Sequence, residues 1–200
     1  AAHCDVRVLD TTVKTHWDEH GFRQRFRIFI RGHEIEAEVP LAGRHNRMNA
    51  TAAIAVAVES GIPEEIAVFG LKFVTPVRGR LFPLVTETGM RVIDDSYNAN
   101  PESVAAAVRV LTELGGNSVL VLGDLAELGE DARGIHAVLG RVARELGVNR
   151  LYTLGQLSVA AAEEFGKGAQ AYTQIDALVA DLQRDARSED VILVKGSRSA

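Results

Sequence analysis

The chain has 200 residues, of which 46% are hydrophobic and 24% charged, with a formal net charge of −5. This composition is typical of a folded globular protein and excludes a disordered tail, a collagen-like repeat and a disulfide scaffold. The negative charge argues against a general nucleic-acid binder, whose affinity comes from neutralising phosphates.

Several features of the sequence predict a cytoplasmic protein. No apolar run approaches the ~20 residues that a membrane span needs, and no signal peptide begins the chain. The single cysteine, Cys4, fits a reducing compartment. Because the chain opens on Ala1 rather than methionine and stops at Ala200, straight after a predicted strand and a Gly-Ser-Arg turn, we expect it to be a piece of a longer protein.

Residues 1–41 have the pattern of antiparallel strands. Between Phe22 and Arg31, apolar and arginine side chains alternate with the period of a half-buried strand, and glycines stand where hairpin turns are needed. The arginine row could contact a phosphate, but a solvent-exposed sheet face is the commoner origin of such a row.

Residues 46–60 change to a helical pattern. The stretch NATAAIAVAVES is alanine-rich and apolar nearly all round, which predicts a buried helix. Gly61 ends this helix, and Pro63 begins a second, shorter one. Proline and glycine punctuate the segment that follows, and we place a domain boundary near Pro76.

From residue 77 onward, short apolar strands alternate with amphipathic helices. The predicted strands cover residues 91–95, 119–123, 151–154 and 191–195, and each intervening segment contains a helix with a 3.6-residue apolar period. This alternation predicts an α/β fold with a mostly parallel sheet that helices cover on both faces.

The predicted strands end in polar residues, and ligands of doubly wound sheets bind at that edge. The most informative segment is DDSYNANPES, residues 94–103. Asn100 is a suitable N-cap and Pro101 fits the first position of a helix, so cap chemistry explains these two residues. It does not explain two adjacent aspartates after an apolar strand, and Asp95 is placed to accept hydrogen bonds from a ribose.

Three further segments carry candidate ligand groups. In GRHNRMNA (43–50), Asn46 is either an N-cap or a functional amide, whereas Asn49 lies in the predicted buried helix, where an amide needs a partner and could read an adenine edge. VKGSRS (194–199) is a weak anion-binding motif with an arginine that could clamp a carboxylate. Arg80, near the predicted boundary, could contact a phosphate or a ribose.

Other motifs do not support a site. HWDEH (16–20) lacks the spacing of a zinc-binding helix, and neither G-x-x-x-x-G-K-[ST] nor G-x-G-x-x-G occurs in the 200 residues. We interpret the acidic segment GDLAELGED (123–131) as a solvent-exposed loop, unless Asp124 or Glu127 lines the cleft. His136 is interpreted as a structural residue.

Four stretches, taken together, resemble the Mur ligases of peptidoglycan synthesis: GRHNRMNATAAIAVAVESGI, VRGRLFPL, VIDDSYNANPESVAAAV with VLGDLAELGE, and VKGSRS. The segments DDSYNANP, GDLAELG and KGSRS are similar to the branch of that family that adds D-alanyl-D-alanine. The resemblance covers nearly the whole chain. It implies that residues 1–76 are the C-terminal part of a central ATP-binding domain without its P-loop, with a β-hairpin and a helical tail. Residues 77–200 would then be most of a C-terminal Rossmann-like ligase domain.

The resemblance implies an ATP-dependent amide ligase. In this family, ATP phosphorylates the terminal carboxylate of UDP-MurNAc-tripeptide, the amine of D-Ala-D-Ala attacks the acyl phosphate, and phosphate leaves. This chemistry requires charge neutralisation around phosphates and close positioning of two substrates. The Mg²⁺ ligands are expected outside this segment, the isolated chain is expected to be inactive, and the whole enzyme is expected to be a monomer.

The resemblance also implies roles for single residues. Asn46 and Asn49 resemble amides that contact adenine, while Arg80 and Asp95 resemble the groups that hold the phosphate and ribose of ATP. The region that receives the dipeptide is implied to comprise Tyr97, Asn98, Asn100, Lys195, Ser197 and Arg198. No catalytic residue is assigned within the segment.

Three alternatives stay open. Another ligase of the superfamily, diaminopimelate-adding or folate-polyglutamating, is disfavoured by DDSYNANP and would differ in its amine substrate. A phospho-acceptor signalling domain could build an acidic magnesium pocket from the strand-end aspartates and lysine, but it leaves residues 1–76 unexplained. A non-catalytic nucleotide-binding module would bind ATP without turnover.

Overall fold

The structure is a computed structural model that describes residues 6–9, 13–87 and 89–197. Cys4 and Arg198, singled out above, lie outside the described residues. The chain divides into two units, Ala1–Pro76 and Val77–Ala200, and each is described by itself. Among the described residues, no helix is long and apolar enough to cross a membrane.

The first unit combines an antiparallel sheet with two helices. Its strands are β1 (Val6–Val8), β2 (His16–Asp18), β3 (Gly21–Ile30) and β4 (His33–Val39). β1, β2 and β4 all pair with β3 in antiparallel register. Helices α1 (Arg44–Glu59) and α2 (Glu64–Gly70) follow, and a single 3₁₀ turn covers Leu71–Phe73.

The alternation predicted for the long strand is confirmed. Phe22, Phe26, Ile28 and Ile30 are buried, and the last three pack in one cluster with side chains of α1 and α2. On the opposite face the arginines pair with acidic neighbours: Arg23 with Asp18, Arg25 with Glu38, and Arg27 with Glu34. This supports the interpretation of the arginine row as a solvent-exposed face.

Helix α1 is not buried all round, and that prediction is wrong. One stripe, which includes Ala50, Ile54 and Val58, faces the core, whereas Met48 and Val56 are 50% and 67% exposed. Composition misled the prediction because alanine and valine are apolar whichever side of a helix they occupy, whereas burial depends on which face meets the sheet.

The second unit is a six-stranded sheet with helices. Its strands are β5 (Phe82–Val85), β6 (Arg91–Asp95), β7 (Asn117–Gly123), β8 (Arg150–Leu154), β9 (Ala169–Tyr172) and β10 (Asp190–Lys195). Their spatial order is β5-β6-β10-β7-β8-β9. β5 alone runs antiparallel to its neighbour, and the remaining pairs are parallel. The predicted α/β fold is confirmed.

Both faces of this sheet are covered. The helices are α3 (Pro101–Glu113), α4 (Ala132–Glu145), α5 (Val159–Phe165) and α6 (Ile175–Asp185), with a 3₁₀ turn at Gly129–Asp131. Leu178 of α6 packs on the face formed by Val119, Val121, Tyr152 and Ile192. Leu120, Leu122 and Leu151 have the opposite parity and are also fully buried, as expected for strands at the centre of a parallel sheet.

Candidate functional site

The candidate site begins at the edge where the parallel strands of the second unit end. The register places Asp95 of β6 beside Lys195 of β10, and Lys195 beside Leu122 of β7. Because parallel strands end at one edge, the polar segments that follow β6, β7 and β10 lie together there. The structure thus brings together segments that are about a hundred residues apart in the chain.

The two adjacent aspartates hold a main-chain segment. The amide of Gly79 donates to Oδ2 of Asp94 over 3.1 Å, and the amide of Leu81 donates to Oδ1 of Asp95 over 3.0 Å. The amide of Tyr97 in turn donates to the carbonyl of Gly79 over 3.0 Å. The residues on both sides of Arg80 are therefore fixed to the segment that follows β6.

This arrangement requires glycine at position 79. Gly79 has a φ of +76°, and a Cβ atom there would lie 2.9 Å from Cβ of Tyr97. Leu81 also has a positive φ, 47°, although its side chain is buried. Sequence reasoning missed both backbone roles, since a glycine before an arginine was the only local signal.

The side chain of Arg80 extends from this segment into solvent. It is exposed, and its guanidinium carbon lies 4.5 Å from the centroid of the Tyr97 ring, a cation–π contact. Within the described ranges no hydrogen bond or ion pair engages the guanidinium. Its N–H donors are thus available to an anion, in agreement with the proposed phosphate contact.

Lys195 and Asp95 form a buried ion pair. Nζ of Lys195 lies 2.7 Å from Oδ2 of Asp95 and donates to the carbonyl of Asn98 over 3.0 Å. The two side chains are 1% and 13% exposed. Lys195 therefore braces the loop after β6, and this geometry favours a positioning role over direct contact with an anion. Asp95 retains one lone pair on each oxygen for a ribose hydroxyl.

The loop after β6 ends in the predicted helix cap. The amide of Ser103 donates to Oδ1 of Asn100, and the amide of Asn100 donates to Oγ of Ser103, so α3 begins with a capping box and has proline at its first turn. Asn98 accepts a hydrogen bond from the amide of Ala99. Both asparagines thus shape the loop, and both side chains reach solvent.

The solvent-exposed interpretation of the acidic segment left Asp124 open, and the structure places its side chain partly buried. Its carboxylate accepts hydrogen bonds from the amides of Gln156, Leu157 and Ser158. Partial burial alone would raise the pKa of Asp124, but these amides hold it below its ordinary value. The donors lie more than thirty residues away, so no local pattern indicated them.

Ser197 connects the end of β10 to the same loop. Its Oγ accepts from the amide of Ala126 over 2.9 Å, and its amide donates to the carbonyl of Asp124 over 3.1 Å. His136 is fully buried, accepts from the amide of Leu125 through Nε2, and lies 2.7 Å from the carbonyl of Ala132 through Nδ1. The structural interpretation of His136 is therefore confirmed.

In the first unit, the two candidate asparagines differ in their surroundings. The N-cap of α1 is Gly43, and the side-chain amide of Asn46 donates to the carbonyl of Ala42 over 2.8 Å, so Asn46 is not the N-cap. Asn49 is exposed rather than buried. Its amide has no protein partner within the described part of the chain and is available to a ligand.

No metal centre is built from the residues described. Among residues 6–9, 13–87 and 89–197, no group of three or more His, Cys, Asp or Glu side chains is placed to hold a metal ion.

Comparison with known proteins gives consistent matches. The family described as Mur ligase, glutamate ligase domain, matches residues 79–198. The UDP-N-acetylmuramoyl-tripeptide–D-alanyl-D-alanine ligase of Escherichia coli K12 is 38% identical over 202 residues, which cover 100% of this chain and 43% of that protein. The ligase of the same name from Bacillus subtilis 168 is 36% identical, with 84% and 38% covered.

Solved structures agree with these relatives. A MurF crystal structure from Acinetobacter baumannii superposes with a TM-score of 0.85 at 32% identity and covers 100% of this chain and 43% of its own. A folylpolyglutamate synthase from Thermotoga maritima has a TM-score of 0.64 at 21% identity over 96% of this chain and 44% of its own, a likeness that shows the fold alone. The chain spans less than half the length of the relatives named here.

Proposed function

Since the chain belongs to the Mur ligase family, we propose that it is the carboxyl-terminal part of an ATP-dependent ligase that joins D-Ala-D-Ala to UDP-MurNAc-tripeptide. The observation that carries this proposal is the 38% identity to a ligase of that name along the whole of the chain. The segment DDSYNANP and the first three residues of KGSRS (195–197), on which the resemblance depends, lie at the edge where the parallel strands of the six-stranded sheet end.

The proposed domain assignment follows from the same premise. Residues 1–76 would be the end of a central ATP-binding domain, and residues 77–200 most of the ligase domain. The largely buried central strands of the second unit, β7, β8 and β10, would support the loops that carry the chemistry. We propose a cytoplasmic enzyme, since the nucleotide-linked substrate and ATP are cytoplasmic compounds. The proposal that it is a monomer comes from the family resemblance alone.

The residues of the chain fit an ATP-derived nucleotide in part. Arg80 presents unengaged donors, which suit a phosphate, and Asn49 presents an unengaged amide, which suits an adenine edge. Asp95 would accept a ribose hydroxyl while it holds Leu81. Asn46 donates one N–H to the carbonyl of Ala42, so its amide oxygen and its second N–H would be the groups that it offers to adenine.

When bound, ATP would supply the phosphoryl group that activates the tripeptide carboxylate. Arg80 would neutralise negative charge on the transferred group, and its fixed main chain would reduce reorganisation during the reaction. Because no cluster of metal ligands occurs among the described residues, Mg²⁺ enters the proposal only as the partner of ATP, and no step is derived through it.

For the dipeptide we propose the loop after β6 and the segment after β10. Asn98 and Asn100 have side chains at the surface of that loop, and Ser197 would act through the loop that it ties to β7. Lys195 would act by holding Asp95 and the loop. Arg198 belongs to the proposal through its motif alone.

The proposal is tested with a longer protein that contains this chain. Phosphate release is measured with ATP and UDP-MurNAc-tripeptide, in the presence of D-Ala-D-Ala, of single amino acids including diaminopimelate, or of glutamate with a folate acceptor. We expect release that depends on D-Ala-D-Ala. Release that responds only to diaminopimelate or to glutamate would retain the family and replace the substrate. Nucleotide binding without turnover under every condition would indicate a non-catalytic module.

A further inference from the structure

We propose that Tyr97 is a positioning residue for Arg80, and that its ring holds the guanidinium ready for a nucleotide phosphate rather than receiving the dipeptide. This inference rests on the proposed function, in which Arg80 contacts that phosphate. Tyr97 then belongs with the residues that contact the nucleotide phosphate and not with those that receive the dipeptide.

The contact between Arg80 and the Tyr97 ring is the first observation that supports this role. Within the described residues the Tyr97 ring is the partner of its guanidinium, at 4.5 Å from the ring centroid. A contact with a ring face forms without a hydrogen bond, so it uses none of the five N–H donors of the guanidinium. Such a geometry orients an arginine without consuming the donors that an anion needs.

The hydrogen bonds that hold the main chain on both sides of Arg80 are the second observation. The amide of Tyr97 donates to the carbonyl of Gly79, and the amides of Gly79 and Leu81 donate to the carboxylates of Asp94 and Asp95. Ring and guanidinium are thus carried by two segments that are tied together on both sides of Arg80. A free arginine carries ~2 kcal/mol of rotamer entropy, and the ring restricts that freedom before a ligand arrives.

The surroundings of the Tyr97 hydroxyl are the third observation. The side chain is 48% exposed, and within the described part of the chain its hydroxyl makes no hydrogen bond. The structure therefore assigns a task to the ring and none to the hydroxyl. Phenylalanine at this position should serve as well as tyrosine, whereas an aliphatic residue should not.

The first experiment uses NMR on the 200-residue chain. The side-chain signals of Arg80 are compared in the wild type, Tyr97→Leu and Tyr97→Phe, and inorganic pyrophosphate is titrated as the anion. We expect ring-current shifts at Arg80 in the wild type and in Y97F, and their loss in Y97L. We also expect pyrophosphate binding at Arg80 about two- to fivefold weaker in Y97L, the usual size of an exposed cation–π contact.

The second experiment measures kinetics in the longer protein. Y97L should raise the KM for ATP by the same factor and leave the KM for D-Ala-D-Ala in place, and Y97F should restore the wild-type KM for ATP. Phe73→Leu removes another exposed aromatic ring, 69% exposed and in the first unit, and controls for general effects. Tyr97→Met also removes the ring but keeps a long, flexible apolar side chain, so it supplies the same comparison if Y97L does not fold.

The inference is overturned if Y97L leaves the Arg80 signals unchanged, or if it raises the KM for the dipeptide and not that for ATP. It is also overturned if Y97F behaves like Y97L, since the hydroxyl would then carry the effect. A protein without dipeptide-dependent phosphate release would instead contradict the proposed function, and the NMR comparison would still decide whether Tyr97 holds Arg80.

Discussion

Asp124 shows how a single carboxylate organises the edge of the sheet where the strands end. Its side chain accepts three main-chain amides from the segment that leads into α5, and its own carbonyl accepts the amide of Ser197. Gly155 is required beside it, because a Cβ atom at that position would overlap the Asp124 carboxylate. The Asp124 carboxylate therefore joins the segments that follow β7 and β8, and its main-chain carbonyl joins the segment that follows β10.

The lowered pKa of Asp124 predicts a pH-dependent contribution to stability. A carboxyl group whose pKa is lower in the folded state stabilises the fold above its unfolded pKa of about 4, and this contribution is lost as the pH falls through the folded pKa. Asp124→Asn should cost about 1–3 kcal/mol at pH 7, because an NH₂ group would face an amide donor. Urea unfolding at pH 7 and at pH 3 measures this difference, which should shrink at the lower pH.

Asp176→Asn is the matched control, since Asp176 is exposed on α6. Asp176→Asn should lower the free energy of unfolding by about 0.3–1 kcal/mol, as is usual for an acidic residue in the first turn of a helix. An equal loss of stability in both variants at pH 7 would contradict the role given to Asp124.

The buried pair of Lys195 and Asp95 makes a second prediction. Lys195→Met should destabilise the chain by about 3–5 kcal/mol, because it leaves a buried carboxylate without its partner. Adding Asp95→Asn should recover part of the loss, so the double-mutant cycle should be non-additive. Arg133→Met breaks an exposed pair with Glu163 and should cost about 1 kcal/mol or less. Additive effects at positions 95 and 195 would contradict the pair.

For single residues, the sequence indicated which ones lie at the candidate site better than it predicted their hydrogen-bond partners. The position of Asp95 after an apolar strand pointed to a functional edge, and the cap at Asn100 follows from local chemistry alone. The bonds from Gly79 and Leu81 to the aspartates depend on tertiary folding. Local residue patterns carry no information about such partners, so the aspartates were interpreted only as ligand groups.

At the scale of elements, close packing of α4 on α5 depends on one glycine. A Cβ atom at Gly140 would overlap the main-chain carbonyl of Ala161. Gly140→Ala should therefore cost about 1–3 kcal/mol through overpacking. In Gly134→Ala, in the same helix, the atoms nearest the new Cβ belong to the carboxylate of Asp131, the end of an exposed side chain that can move aside. This substitution should be neutral or stabilising by up to about 1 kcal/mol. Thermal unfolding of the two variants measures the contrast, and a loss of equal size in both would contradict it.

The elements that were predicted are those with a strong period. Strands β7 and β10 contain four-residue apolar runs, and β6 and β8 contain shorter ones. Helices α3, α4 and α6 repeat their apolar residues every three to four positions. Three elements were missed: β5 (FPLV) contains a proline, β9 (AQAY) has four residues of mixed polarity, and α5 (VAAAEEF) has seven residues. Each is too short to show a period, and β5 and β9 form the two edges of the sheet, where pairing on one side suffices.

At the scale of the whole molecule, each of the two units has buried apolar residues of its own. The family match covers residues 79–198, in the second unit, and the identity to the Escherichia coli relative extends through the first unit as well. These two findings together indicate that both units, and not the second alone, are related to the Mur ligases.

We propose above that this chain belongs to an enzyme that forms an amide through an acyl phosphate. The most direct measurement uses UDP-MurNAc-tripeptide labelled with ¹⁸O in its terminal carboxylate, together with ATP, D-Ala-D-Ala and the longer protein. Because phosphate leaves with a former carboxylate oxygen, we predict one ¹⁸O atom in the released phosphate and a product that contains the dipeptide. Unlabelled phosphate, or product formed without phosphate release, would contradict the account.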